Sequence, residues 1–222
     1  MARRLARQEY VVIGLGRFGS SLALKLVSLG HSVLAIDRDR DLVQRLSDEI
    51  TQTVSLDATD EDALRAIGIE EFDTAIVAIG NDFESNLLIT VVLKELGLQK
   101  VICKALNERQ KSILLRVGAD QVVLPEHEAG VRLAQQLSMP LLVDRLELEP
   151  HISISELRCP GPLVGHSLGA LDLSERFGIS VLVIKGSRVR SSPSDDEILN
   201  AGDVLVLMGP DEGIAKLQQW VP

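Results

Sequence analysis

The stretch Tyr10-Val-Val-Ile-Gly14-Leu-Gly16-Arg-Phe-Gly19 carries three glycines in the pattern G-x-G-x-x-G. The apolar run Tyr10–Ile13 precedes them. An amphipathic segment follows to about Leu29, where Gly30 stands as a helix-ending glycine. Ser32-Val-Leu-Ala-Ile36 is the next apolar run, and Asp37 closes it. Such glycines alone are a weak signal. Placed after a strand, opening a helix, with an acid at the tip of the following strand about 20 residues on, they form the fingerprint of a dinucleotide-binding unit. Gly14 permits the tight turn, Gly16 lets backbone approach a phosphate, and Gly19 lets the helix pack close to the sheet. The helix start offers N–H groups and positive potential to an anion. The Asp37 carboxylate accepts hydrogen bonds from ribose hydroxyls and repels a 2′-phosphate, which disfavours NADP. A glycine turn that only packs is the plain alternative, but three aligned glycines and a strand-end acid are costly for that purpose.

Working outward, the pattern repeats. Apolar runs at 51–56, 74–79, 100–103 and 120–124 alternate with helical stretches at 39–47, 60–67, 82–96, 107–117 and 126–137. The runs are short, continuous and rich in Val and Ile, as in parallel strands covered on both faces. Six rounds of strand then helix predict a Rossmann-like, doubly wound α/β fold over residues 8–140. After about residue 140 the pattern changes. Leu146-Glu-Leu148 and Ile152-Ser-Ile-Ser155 alternate with period two, as half-exposed antiparallel strands do. A turn at Pro160-Gly-Pro162, a helix over 167–177, strands at 180–184 and 203–207 and a helix over 211–220 complete a small α+β domain, residues 145–222. The polar stretch 186–196 reads as a surface loop.

Composition narrows the function. The formal net charge of -9 argues against a nucleic-acid partner, which needs a basic face. The basic opening Met1–Arg7 lacks the apolar core and cleavage site of a signal peptide. No apolar run approaches the roughly 18 residues of a membrane span, so a cytoplasmic location is expected. Cys103 sits in an apolar run and Cys159 before Pro160, in different domains, so a disulfide is not expected. The four histidines are scattered singly and suggest no metal cluster.

Ligands of open α/β sheets sit beyond the carboxyl ends of the strands. The candidate ligand-binding residues are therefore Gly14, Gly16, Arg17, Phe18, Gly19, Asp37, Arg38, Asp57, Ala58, Ile79, Gly80, Lys104 and Glu126. Arg17 is a cation at a helix start, unfavourable there unless an anion offsets it. Lys104 is either a snorkelling edge residue or a phosphate partner. Glu126 opens a helix, where a carboxylate is favoured in any case. An NAD-dependent oxidoreductase is the rival reading. It needs a general acid or base in a substrate pocket. The lone tyrosine, Tyr10, opens the first strand, so a Tyr-x-x-x-Lys catalytic pair is absent. No catalytic residue is assigned. A DNA-binding regulator would need a helix-turn-helix or basic patch, and neither is present.

With these motifs in place, the chain resembles the RCK (regulator of potassium conductance) family, in particular its KtrA- and TrkA-type potassium-uptake subunits. The resemblance rests on Val11-Val-Ile-Gly-Leu-Gly-Arg-Phe-Gly19, Val33-Leu-Ala-Ile-Asp37, Ala75-Ile-Val-Ala-Ile-Gly80 and Gly118-Ala-Asp120 with Pro125-Glu126. In the tail it rests on Pro162-Leu-Val-Gly-His-Ser-Leu168 through Gly202-Asp-Val-Leu-Val-Leu207, which looks like the RCK C-terminal (TrkA-C) domain. The resemblance implies a regulatory subunit whose dimers form an octameric ring. The ring would dock, as a peripheral subunit on the inner face of the cell membrane, on a KtrB/TrkH-like potassium-translocating partner. It implies ATP or ADP, alternatively NAD(H), at the glycine loop, with Arg17 on the γ-phosphate and Asp37 on the ribose. It implies a divalent cation (Mg2+ or Ca2+) placed with the help of Glu126. Cyclic di-AMP at the C-terminal domain is a further implied ligand, around Leu163, Val164, Leu168, Leu171, Asp172, Phe177, Gly178, Ile179 and Pro193. Asp172 stands where a neutral amide is expected, and a carboxylate repels phosphates.

Overall fold

The computed structural model describes residues 8–220. The basic opening at 1–7 and the last two residues of the C-terminal domain lie outside the described residues. The chain divides into two compact units, Met1–Glu128 and Ala129–Pro222. The sequence reading closes the first domain near residue 140, whereas compactness divides the chain inside a helix, Pro125–Ser138.

The first unit holds six parallel strands, β1 (Glu9–Ile13), β2 (Ser32–Asp37), β3 (Gln52–Ser55), β4 (Thr74–Val77), β5 (Lys100–Lys104) and β6 (Gln121–Val123), in the order β3-β2-β1-β4-β5-β6. Helices α1 (Arg17–Ser28), α2 (Arg40–Leu46), α3 (Glu61–Ala66), α4 (Phe83–Glu95), α5 (Glu108–Arg116) and α6 (Pro125–Ser138) follow the strands in turn. This is the doubly wound parallel fold read from the sequence. Val12, Val33, Ala35 and Ile76 join one buried cluster with Leu15 and Ala23, while Val11, Ile13, Leu34, Ile36, Ala75 and Val77 join another with Ile89, Leu93 and Leu114. Successive strand residues point to opposite faces, so both faces need apolar side chains, and the runs are continuous. Each buried Val, Leu or Ile contributes about 1.5–3 kcal/mol.

Helix starts follow local chemistry. The side chains of Asp39, Asp60, Asp82 and Asn107 accept backbone N–H bonds at the beginnings of α2, α3, α4 and α5. In contrast, α1 opens on Gly16 with no side-chain cap.

The second unit is a five-stranded antiparallel sheet of order β10-β9-β11-β8-β7. Its strands are β7 (Leu142–Glu149), β8 (Ile152–Arg158), β9 (Ser180–Lys185), β10 (Val189–Ser191) and β11 (Val204–Pro210). The helices α7 (Leu168–Leu171), α8 (Leu173–Phe177) and α9 (Asp211–Gln219) complete it. Leu157, Leu163, Leu171, Leu205, Leu207, Ile214 and Leu217 form its core. Two local readings need correction. The helix expected over 167–177 is broken into α7 and α8, because Asp172 takes a left-handed conformation with φ 45°. The polar stretch 186–196 is no simple loop. Val189–Ser191 pairs antiparallel with β9, and Arg190 reaches Glu197 at 3.0 Å and Asp203 at 2.7 Å. A buried ion pair across sequence, invisible to local polarity, orders that segment.

Candidate nucleotide-binding site

The strand order reverses between β1 and β4, and the loops leaving those strands part there. The glycine loop fills the start of this crevice, and its glycines have separable reasons. Gly14 has φ +94°, a left-handed value that a β-carbon disfavours, and it packs on the backbone of Ala78 and Ile79. Gly19 lies under that loop. A Cβ built on it would stand 1.8 Å from the Gly14 carbonyl oxygen, so the close seating of α1 requires hydrogen. Gly16 is different. It has φ -64° and ψ -172°, open to any residue, and nothing lies within 4 Å of a built Cβ. Packing explains Gly14 and Gly19 but gives no reason for Gly16. The amides at the start of α1 are uncapped, and the space above Gly16 is free for a group that approaches backbone closely.

A cavity of about 260 Å3 opens beside the loop. Of the expected residues, it is lined by Gly14, Gly16, Asp37, Arg38, Asp57, Ala58, Ile79 and Gly80. Sequence reading missed Ile13, Ile36, Leu42, Leu56, Thr59, Ala78, Asn81, Asp82, Ser85 and Ile89, which also line it. The apolar members sit near strand ends and helix starts and read simply as core. Asp82 and Ser85 carry the signal of a helix cap. Arg17, Phe18, Gly19, Lys104 and Glu126 do not line this cavity.

Asp37 is held firmly. Its Oδ2 accepts the Leu15 N–H at 2.6 Å and its Oδ1 accepts the Asp39 N–H at 2.9 Å. Each oxygen keeps a lone pair, so the carboxylate is fixed by the glycine loop and still able to accept from hydroxyls. The backbone and hydroxyl of Thr59 donate to Asp57 at 3.0 and 2.8 Å and lower its pKa. Bonds from Ser85 likewise lower that of Asp82. Arg38 lies 4.0 Å from Asp82. Asp57 and Asp82 therefore stay charged at neutral pH, which suits a ligand end bearing hydroxyls and amines.

A second group forms farther along the tips. Lys104 is buried, with Nζ 2.7 Å from Glu126 Oε1 and 5.8 Å from the centre of the Phe18 ring. The Lys104 hydrogen bond is the largest cause of a lowered Glu126 pKa, and Arg17 adds to it. The structure thus brings Arg17, Phe18, Lys104 and Glu126 together and makes Lys104 more than an edge residue. No cluster of three His, Cys, Asp or Glu able to hold a metal occurs among the described residues. Glu126 stands as one carboxylate facing an ammonium, so these residues do not by themselves fit a divalent cation. In the second unit, a further cavity is lined by Leu168, Asp172, Ile179, Pro193 and Asp195. Two carboxylates there disfavour an anionic cyclic dinucleotide.

Fold and site together define a Rossmann-type domain with an uncapped glycine cradle, followed by a small antiparallel-sheet domain. Residues 10–125 match the TrkA-N domain and residues 155–221 the TrkA-C domain. The chain belongs to this RCK family and is a homologue of Ktr and Trk potassium uptake proteins. It is 35% identical to the Ktr system potassium uptake protein C of Bacillus subtilis over 97% of this chain and 98% of that protein. It is 34% identical to protein A of the same system over 97% of each. Among solved structures, the GsuK channel superposes with a TM-score of 0.70 at 20% identity, over 98% of this chain and 40% of that one. A GsuK channel bound to NAD gives 0.65 at 19%, over 98% and 40%. These two likenesses establish the fold. No helix among the described residues is long and apolar enough to cross a membrane.

Proposed function

We propose that this protein is a non-catalytic regulatory subunit of a potassium uptake transporter, controlled by an adenosine nucleotide at the glycine loop. The observation that carries the reading is Gly16. An uncapped helix start with empty space above a glycine that packing does not require is a cradle for phosphate. Asp37, fixed by two backbone N–H groups, is in place to grip a ribose. Arg17 and Lys104 supply positive charge toward the distal phosphates. ATP and ADP share their adenine and ribose contacts and differ by one charged group, which Arg17 would read. NAD(H) fits the same crevice. In this reading residues 8–140 bind nucleotide and residues 145–222 serve dimerisation and ligand sensing. Its partners are further copies of the chain, in a ring, and a membrane-embedded potassium-translocating subunit on whose inner side it sits. The names of the Ktr relatives support that partnership. A ligand shifts a two-state assembly only by its differential affinity for the two states, and a γ-phosphate provides such a difference.

Thermal shift with ATP, ADP, NADH and NADP tests the proposal. Binding to the folded state raises the melting temperature by mass action. Shifts with ATP, ADP or NADH that vanish in Asp37→Ala support it. No shift with any adenosine compound, or a full-sized one with NADP, removes it.

A further inference from the structure

Asn86 lies in the first turn of α4, is 1% exposed and is not among the residues lining the crevice. Its Nδ2 donates to the carbonyl of Ile79 at 2.7 Å and to that of Lys104 at 2.9 Å. These carbonyls belong to two chain segments that are parting. The β4–β5 ladder ends at Val77 and Cys103. Beyond it, Ala78 N–H turns to Ile13 of β1 at 2.7 Å, while Ala105 N–H turns to Val123 of β6 at 2.9 Å. The tips of β4 and β5 are thus drawn in opposite directions, and the Asn86 amide bridges the gap. Gly80 and the Lys104 ammonium meet across it, with Nζ 3.1 Å from a Cβ built on Gly80.

We infer that Asn86 is a positioning residue for the polyphosphate end of the ligand. By tying the diverging strand tips it sets Lys104 opposite Gly80, without touching the ligand itself. The chemistry requires an amide. Two carbonyl oxygens need two N–H donors from one atom, which a carboxylate of the same shape does not have. Leucine fills the volume and leaves both carbonyls without a donor. Asn86 Oδ1 accepts no hydrogen bond among the described residues, so the amide is held there by its donors alone. The inference rests on the nucleotide reading above and deepens it.

The test is calorimetric titration of the full chain with ATP and with AMP, in wild type, Asn86→Ala, Lys104→Gln and the double variant. Action through Lys104 is expected to weaken ATP about tenfold in Asn86→Ala, to change AMP less than about twofold, and to add nothing once Lys104 is gone. Thr90→Val is the control for mere disturbance of α4. Thr90 bonds the Asn86 backbone and Cys103, and its loss lowers the melting temperature while leaving ATP affinity in place. Asn86→Ser keeps one donor and serves if the alanine variant does not fold. Its expected loss is smaller and equally absent in the Lys104→Gln background. Unchanged ATP affinity in Asn86→Ala, equal losses for ATP and AMP, or a loss that adds in full to that of Lys104→Gln overturns the inference. Wild type that binds neither nucleotide overturns the underlying reading instead.

Discussion

Two alanine substitutions, three residues apart, separate the glycine that serves the fold from the one that the proposal assigns to the ligand. In Gly19→Ala the new methyl would lie 1.8 Å from the Gly14 carbonyl oxygen and 3.1 Å from Ala78 Cβ. The nearest obstacle is backbone and has no rotamer to adopt. Overpacking of this kind costs about 3 kcal/mol, which lowers the melting temperature of a domain this size by roughly 10 °C. In Gly16→Ala the methyl meets nothing within 4 Å and the backbone angles suit alanine. Replacing glycine by alanine at a helix N-cap costs about 0.5–1 kcal/mol, and the stiffer unfolded chain returns about 0.4–1 kcal/mol. The net change in stability is within about 0.5 kcal/mol. That methyl, however, stands where a phosphate would approach the amides. Losing one or two charge-assisted hydrogen bonds, about 1.5–3 kcal/mol, lowers affinity roughly 10- to 100-fold. Urea unfolding followed by far-UV circular dichroism reads the first quantity, and calorimetric titration with ATP the second. A Gly16→Ala protein that is as stable as wild type and binds ATP equally well would refute the reasoning.

Arg17→Ala is expected to weaken ATP about tenfold and ADP markedly less, in the same titration, because only ATP carries the γ-phosphate that the proposal assigns to Arg17. Equal losses would remove Arg17 from that role. Glu126 gives a pH test. Its folded-state pKa lies below the ordinary value of 4.5, chiefly through Lys104, so the pair stabilises the fold above about pH 4.5 and is lost as pH falls through the lower folded value. The carboxylate is largely exposed, so Glu126→Gln is expected to cost no more than about 1 kcal/mol at neutral pH, and the two stability curves should converge once pH falls below the folded value. In the second unit, Asp203→Ala removes the carboxylate that binds Arg190 and the Asn200 N–H, leaving Arg190 with Glu197 and the Ile198 carbonyl. A loss of about 3 kcal/mol is expected, read from the unfolding of this unit by the fluorescence of Trp220, the chain's single tryptophan.

The alternation of strands and helices was readable because each element carries its own cause. The parallel strands are continuous Val- and Ile-rich runs since both faces are covered, and Asp or Asn stands where helices begin. The loop Gly14–Gly19 was readable for the same reason, since turn, approach and close packing each select glycine at a fixed offset. Other features did not follow from local pattern. Asp172 breaks a helix that its neighbours favour. Val189–Ser191 becomes a strand through pairing with β9 and through the half-buried Arg190 bonded to the buried Asp203. Asp82 and Ser85 form the cap of α4 and line the crevice as well.

The sequence by itself determined the fold class, the glycine cradle and its acidic partner, because those depend on residues close together along the chain. Which residues share the second half of the site was decided only by the tertiary structure. Lys104 meets Glu126 across 22 residues, and Asn86 meets the Lys104 carbonyl across 18. Those meetings arise because parallel strands lay distant segments side by side and then end. The carbonyls left at the diverging tips must find donors wherever the packed helices bring them, and no local pattern records that demand.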